Sequence, residues 1–236
     1  MHSIIAHSPD SQPLLVAIET SGVDCGVALG RGRELLASSH FRVPHIHDAM
    51  LATMVQRMIQ DLDLRWDDVN GVAVSLGPGS FTGLRIGVAF AKGLCYQGSP
   101  ALLGVPTLKA LAQAASNLYR PSSCTRILVA YPSQRGHLYA QLFTTSAHAI
   151  TSEALYTSEQ FIELLKDDVV VCTSVIVPEC EHHPHRHVVP LRAEYLFEEA
   201  LHRFSTHGGI DAEQCVPLYV QDFVPRIQPK KIDSPA

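Results

Sequence analysis

The segment Gly77-Pro78-Gly79-Ser80-Phe81-Thr82-Gly83-Leu84-Arg85-Ile86-Gly87 sets glycines, two hydroxyls and a guanidinium where an apolar strand pattern gives way to a helical one. Backbone N–H groups at the start of a helix point outward and can receive an anion. The residues placed to do so are Gly77, Gly79, Ser80, Thr82, Gly83 and Arg85. Neither common phosphate loop fits, because Leu84 follows Gly83 where a P-loop needs Gly-Lys-Ser/Thr, and the Rossmann glycine spacing is absent. Two readings stand: a tight strand-to-helix turn with Ser80 or Thr82 capping the helix, or a weak anion site.

Other chemistry finds less support. The thirteen histidines include a cluster, His182, His183, His185 and His187 beside Glu181, but Pro184 and Pro190 interrupt any helix there, which favours a solvated loop over a metal site. His40, His45 and His47 lack the i, i+4 pair of a helical metal site. Ser21 and Ser80 have no Gly-x-Ser-x-Gly elbow around them. The six cysteines show neither a CxxC pair nor zinc-type spacing, so free, mostly buried thiols are expected. No metal site is assigned.

The elements that must position these residues follow from hydrophobic periodicity. Leu14 to Ile18, Gly26 to Leu29 and Leu35 to Phe41 predict a three-strand meander with a tight Gly30-Arg31-Gly32 turn. A helix over His47 to Leu62, a strand at Val72 to Ser75, a helix from Ser80 or Phe81 to Tyr96, a strand at Ala101 to Leu103 and a helix over Thr107 to Leu118 complete the first half. After Pro121 the pattern restarts with strands at Ile127 to Ala130 and His137 to Phe143, a helix capped by Ser158 and reaching Leu165, a strand at Val169 to Cys172, and a helix over Arg192 to Thr206 stopped by Gly208-Gly209.

These elements divide the chain into an N-terminal extension (1–13), two α/β subdomains (14–120 and 121–224) and a loose tail (225–236). Met1 to Pro13 carries no charged n-region followed by an apolar h-region, and no apolar stretch reaches the ~18 residues of a membrane span, which predicts a cytoplasmic protein. With 236 residues, 46% of them hydrophobic and 17% charged, the chain can bury a sizeable core. Its net charge of −5 lacks the basic footprint of a stand-alone nucleic-acid binder. Of the 15 glycines, 12 lie between Gly22 and Gly104. The second half therefore has few places where backbone could approach a nucleotide closely.

Two stripes suggest a surface for another chain. Gly83, Gly87, Ala91 and Cys95 recur every four residues and leave a groove of small side chains, while Met50, Met54 and Met58 lie one turn apart on the neighbouring helix. Packing against the chain's own sheet is the competing reading, and both stay open on sequence grounds.

At these residues the chain resembles the TsaB/YeaZ family of bacterial threonylcarbamoyladenosine synthesis, relatives of the TsaD proteins in the actin/Hsp70-like ATPase superfamily. The resemblance rests on Leu15-Val16-Ala17-Ile18-Glu19-Thr20-Ser21, Cys25-Gly26-Val27-Ala28-Leu29, His47, Gly77 to Gly87, Ala91-Lys92-Gly93-Leu94 and Gly104-Val105-Pro106-Thr107-Leu108. Departures cluster elsewhere. Pro132-Ser133-Gln134-Arg135-Gly136-His137-Leu138-Tyr139 replaces the family's Asp-Ala-Arg turn and Gly-Glu-Val-Tyr strand, Glu19 stands where Asp is usual, and Pro217-Leu218-Tyr219 lacks the Arg expected near Gln221.

The resemblance implies an α/β fold of two RNase H-like subdomains, each a mixed sheet with flanking helices, the second reduced. ATPases of the superfamily grip phosphates between two loops, one per subdomain. Here only the first-loop remnant Glu19-Thr20-Ser21 persists, so no cofactor of its own is expected, with ATP and metal held by the partner. The implied role is a non-catalytic subunit that activates a TsaD-type enzyme transferring threonylcarbamoyl to the adenosine beside the tRNA anticodon, with a TsaE-type ATPase joining. The implied contacts are the two first-half helices carrying Met50, Met54, Met58, Gly83, Gly87 and Ala91, homodimerisation through the same helices when alone, and tRNA reached mainly through the complex. The alternatives are a stand-alone degenerate ATPase or kinase of the superfamily and a metallopeptidase-like hydrolase.

Overall fold

The structure, a computed structural model, describes residues 12–42, 47–96, 100–119, 123–133 and 136–218. The expected tail at 225–236, nearly all of the expected extension at 1–13, His45, Gln134, Arg135 and Gln221 lie outside the described residues. The first half comprises β1 (Leu14–Glu19), β2 (Cys25–Arg31), β3 (Glu34–Phe41), α1 (His47–Asp61), β4 (Gly71–Gly77), α2 (Phe81–Leu94), β5 (Ala101–Pro106) and α3 (Thr107–Leu118). The strands form one sheet in the order β3-β2-β1-β4-β5. β1 to β3 pair antiparallel, and β4 and β5 add on in parallel with β1.

The unbroken apolar run of β1 has a simple cause: both faces of the sheet are covered. Leu14, Val16 and Ile18 pack with Met54, Val55 and Val88 of α1 and α2, whereas Leu15 and Ala17 pack on the other side with Leu196, Phe197 and Ala200. The β2–β3 turn falls at Gly32 and Arg33, one residue later than expected. Gly32 takes φ +56, a left-handed conformation that glycine adopts without strain, and Gly30 lies inside β2 where the pairing register slips.

The second half repeats the plan. β6 (Arg126–Pro132), β7 (Leu138–Thr144), β8 (Ala154–Tyr156), α4 (Ser158–Ile162), β9 (Val169–Thr173), β10 (Arg186–Val188) and α5 (Phe197–His207) form a second sheet in the order β10-β9-β6-β7-β8. Read from its meander, that order and its strand senses match the first sheet. The fold is therefore the α/β pair of RNase H-like subdomains. The second is visibly reduced, since α4 has five residues and a 3₁₀ turn at Pro178–Cys180 stands where the first half has α2.

The two halves exchange helices. Leu108, Leu111, Ala112 and Ala115 of α3 pack with Ile127, Val129, Val170 and Cys172 of the second sheet, while α5 and the 3₁₀ turn Ala193–Leu196 before it cover the first. The helix expected over Arg192 to Thr206 is thus a 3₁₀ turn followed by α5, which Gly208 ends in the left-handed conformation at φ +69. The expected Ser158 cap is instead Thr157: its Oγ1 accepts from Gln160 N–H at 3.3 Å, and Gln160 Oε1 accepts from Thr157 N–H at 3.0 Å. The helix stops at Ile162 rather than Leu165. All six cysteines are free thiols, five of them buried and Cys95 half-buried.

Candidate functional site

The loop Glu19-Thr20-Ser21 and the motif Gly77 to Gly87 meet at the C-terminal ends of β1 and β4, and the contact explains the motif's glycines. Position 79 faces Ser21, position 83 faces the Thr20 carbonyl oxygen, and position 87 faces Thr20 Oγ1, each so closely that an added Cβ would collide. Gly77 adopts φ +114 at the turn. Ser80 caps α2, its Oγ accepting from Gly83 N–H at 3.2 Å, while Ser80 N–H donates to the Ser21 carbonyl at 2.7 Å. Gly79, Ser80 and Gly83 therefore converge on the first loop, Gly77 lies instead against Leu84 and the Leu218 carbonyl, and Thr82 and Arg85 are exposed. The Arg85 guanidinium lies over the Phe81 ring, 3.9 Å from its centroid.

Of the two readings of the motif, the geometry favours the structural turn. The Ser80 and Gly83 N–H groups that would receive an anion are committed to Ser21 and to the cap. Ser21 is likewise spent on its own loop: its N–H and its hydroxyl donate to Glu19 Oε1 at 2.6 and 2.5 Å, joined by Ser75 Oγ at 3.2 Å. Glu19 is buried and its Oε2 has no partner among the described residues. Burial drives the Glu19 carboxyl above the ordinary carboxylate range, and the hydrogen bonds from Ser21 and Ser75 only partly offset it.

Across the groove stands the second half. Tyr131 of β6 donates its hydroxyl to the Ser21 carbonyl at 3.0 Å, and Leu191 packs on Gly22. Beside this contact lies a cavity of about 30 Å³ lined by Gly22, Asp24, Arg42, Tyr131, Ser174 and Leu191, against the roughly 300–1,000 Å³ of a small-molecule site. Asp24 closes one side through a two-pronged pair with Arg42, at 2.7 and 3.0 Å. Those Arg42 hydrogen bonds hold the Asp24 carboxyl below its usual range.

A polar tie that the sequence does not reveal runs behind this loop. His40 Nε2 lies 2.9 Å from Glu194 Oε2, linking β3 to the 3₁₀ turn before α5. Burial works to raise Glu194, but the His40 hydrogen bond, a backbone hydrogen bond and the nearby Arg192 charge leave it below the usual range. His40 fits because Gly26 opposite has no side chain. A 154-residue separation carries no local signal.

The two stripes proposed as a partner face turn inward, which corrects that expectation. Met54, Met58 and Ala91 are buried in the cluster between α1, α2 and the first sheet, with Met50 half-buried against it, and Gly83 and Gly87 receive Thr20. The reason is general: a stripe of apolar or small residues faces its own sheet when that sheet must be covered. The outward face of α2 instead presents Thr82, Arg85, Ala89 and Gly93, with Ile86 and Phe90 half-buried beside them. A Cβ at Gly93 would meet nothing within 4 Å.

The histidine cluster is also more ordered than a solvated loop. Arg186 to Val188 pairs with β9, and His187 stacks on Tyr119 at 3.6 Å between ring centroids. Burial, with His185 nearby, lowers the His187 pKa. Among the described residues no group of three or more His, Cys, Asp or Glu side chains could hold a metal ion, and no helix is long and apolar enough to cross a membrane.

Residues 43–168, more than half of the chain, match the family model described as TsaD: tRNA N6-adenosine threonylcarbamoyltransferase. The chain is 31% identical over 157 residues to the tRNA threonylcarbamoyladenosine biosynthesis protein TsaB of Escherichia coli (strain K12), a match covering 66% of this chain and 64% of that protein. Against the TsaB protein of Buchnera aphidicola subsp. Schizaphis graminum it is 29% identical over 153 residues, covering 65% of this chain and 69% of the relative. Among solved structures, YeaZ from Pseudomonas aeruginosa superposes with a TM-score of 0.73 at 26% identity over 88% of this chain and 99% of that one. The chain belongs to the TsaB/YeaZ family, within the wider TsaD-type group whose model it matches.

Proposed function

We propose that this protein is a non-catalytic subunit that binds and activates a TsaD-type enzyme in the transfer of threonylcarbamoyl to the adenosine adjacent to the tRNA anticodon. The observation that carries the reading is the closed groove between the two halves: Tyr131 on Ser21 and Leu191 on Gly22 leave about 30 Å³ where a nucleotide-using relative needs an open cleft. The loop folds back on itself through Ser21 and Glu19 Oε1, and Glu19 is buried and pushed toward its neutral form. These features support a part that shapes or stabilises another subunit, with ATP and metal held by that subunit and a TsaE-type ATPase joining the assembly.

The contact surface we assign is the outward face of α2 with the neighbouring face of α1, in place of the inward stripes. Ala89 and the unobstructed Gly93 let another helix approach closely, and Ile86 and Phe90 add apolar area at its edge. The same face can meet its own copy about a two-fold axis when the partner is absent. The test is co-elution of the purified chain with the TsaD-type protein of its own organism, with and without nucleotide. A shared peak at micromolar concentrations that Ala89→Glu abolishes is the expected result. Separate elution under all conditions would overturn the reading.

A further inference from the structure

Glu19, Gly26 and His40 stand in one row across β1, β2 and β3, because Glu19 pairs with Gly26 and Gly26 with His40. Residues opposite one another on neighbouring strands share a face of the sheet, so the carboxyl and the imidazole lie on the same side with no side chain between them. The His40 ring leans over the glycine: a Cβ added at Gly26 would collide with its Nδ1. Glu19 Oε2 and His40 Nδ1 are both buried without a partner among the described residues.

The hydrogen bonds around the pair fix where a proton can sit. Glu19 Oε1 already accepts from the Ser21 N–H, the Ser21 hydroxyl and the Ser75 hydroxyl, so a proton on this carboxyl occupies Oε2. His40 Nε2 lies 2.9 Å from Glu194 Oε2, and the Glu194 carboxyl is held below its usual range. Nε2 therefore carries an N–H, and Nδ1 is the acceptor of the neutral ring. The charged and titratable groups that face the pair are Asp24, Cys25, Arg42, Tyr131, Arg192 and Glu194. Burial pushes the Cys25 thiol up to about 11 and the Tyr131 phenol up to about 12, so both stay neutral. Arg42 neutralises Asp24, and Arg192 stands near Glu194. Of all these groups, Glu19 and His40 are left to trade a charge.

We propose that Glu19 and His40 hold one proton between them, and that this proton latches the groove between the two halves shut. It sits on Glu19 Oε2 beside a neutral imidazole, or on His40 Nδ1 beside a carboxylate; an O–H bond is exchanged for an N–H bond and the net charge is unchanged. Losing it leaves Glu19 and Glu194 both ionised with only a neutral ring between them, where no water reaches Glu19 Oε2 to offset the added charge. The repulsion falls on the segment that carries Glu194, and three residues earlier that segment presses Leu191 on Gly22. Release of Glu194 from His40 thus frees Leu191 and opens the groove. Burial holds the Glu19 carboxyl above the ordinary carboxylate range, so the latch is fully present below the unfolded value and is lost as pH rises through the folded one. The inference concerns how the groove is held and stands whether or not the outward face of α2 meets a partner.

Hydrogen exchange of the full chain, read by mass spectrometry as protection relative to each amide's intrinsic rate, tests it between about pH 5 and 9. In the parent, amides of residues 20–24 and 189–196 should lose protection as pH rises, by at most about tenfold per pH unit for one proton, while those of β9 keep theirs. Glu19→Gln, which imitates the protonated form, should hold its protection within about threefold over the same range. If that variant fails to fold, carbon-13 and nitrogen-15 NMR of the parent decides. The Glu19 carboxyl carbon and the His40 ring nitrogens should then shift together over a common pH interval, as two sites sharing a proton do. Protection that is flat with pH in the parent, a Glu19→Gln variant that loses it as the parent does, or carboxyl and ring signals that move in separate, independent steps would each overturn the proposal.

Discussion

The Tyr131 hydroxyl donates to the Ser21 carbonyl oxygen across the groove between the two sheets, at 3.0 Å. Burial first, and the nearby Glu19 second, push the phenol to about 12, so it remains a donor throughout the range in which the protein is handled. Because the Ser21 carbonyl also accepts from Ser80 N–H, losing the phenol leaves it partnered. Tyr131→Phe should therefore destabilise the protein by only about 1 kcal/mol. Leu191→Ala, which empties the apolar half of the same closure, should cost about 2–5 kcal/mol. Urea unfolding of both variants checks the order, and neither should gain ATP hydrolysis.

Glu19 gives the protein a pH dependence of unusual sign. Most native carboxylates are held charged and lose their contribution as pH falls; this one is held above the ordinary carboxylate range by burial. The folded state then binds more protons than the unfolded state, so its contribution is fully present below the unfolded pKa and is lost as pH rises through the folded one. Glu19→Gln, which imitates the neutral form, should flatten that decline and be at least as stable as the parent at pH 7. Chemical denaturation from pH 4 upward measures it; a Gln variant with the parent's slope would contradict the assignment.

The glycines of α2 should separate by what lies opposite them. Gly83→Ala drives a methyl into the Thr20 carbonyl, a backbone atom that cannot swing aside, and should cost more than about 2 kcal/mol. Gly93→Ala meets open space in the same helix and should stabilise by up to about 1 kcal/mol through helix propensity. Melting curves of the two variants give opposite signs. Equal effects would mean that the first loop does not sit against α2.

Much of this architecture is legible in the residues. The long elements, β1 through α3, follow from short unbroken apolar runs and from apolar stripes of period 3.6, and the glycine excess before Gly104 falls in the half whose motif glycines pack on the first loop. β8 and β10 escape notice because three residues hold too little periodicity to register. The Thr157 cap is missed in favour of its neighbour Ser158 because both are hydroxyl residues, and only the distance to Gln160 decides between them. The site's loop residues are readable from Gly77 to Gly83 as a turn. Their purpose, seating Thr20 and Ser21, is a tertiary contact over some sixty residues that no spacing encodes. The methionine and small-residue stripes show why periodicity finds a face without saying which way it points.

The central claim is that the protein works by associating with a TsaD-type enzyme through the outward face of α2, and isothermal titration of that enzyme with the parent chain, Gly93→Ala and Ala89→Glu tests it most directly. Ala89 is exposed, so Ala89→Glu should melt with the parent. The account predicts micromolar or tighter association for the parent and its loss, by at least about a hundredfold, in Ala89→Glu, the range in which a charge buried in a contact core falls. Unchanged affinity of Ala89→Glu, in a chain that remains folded, would contradict it.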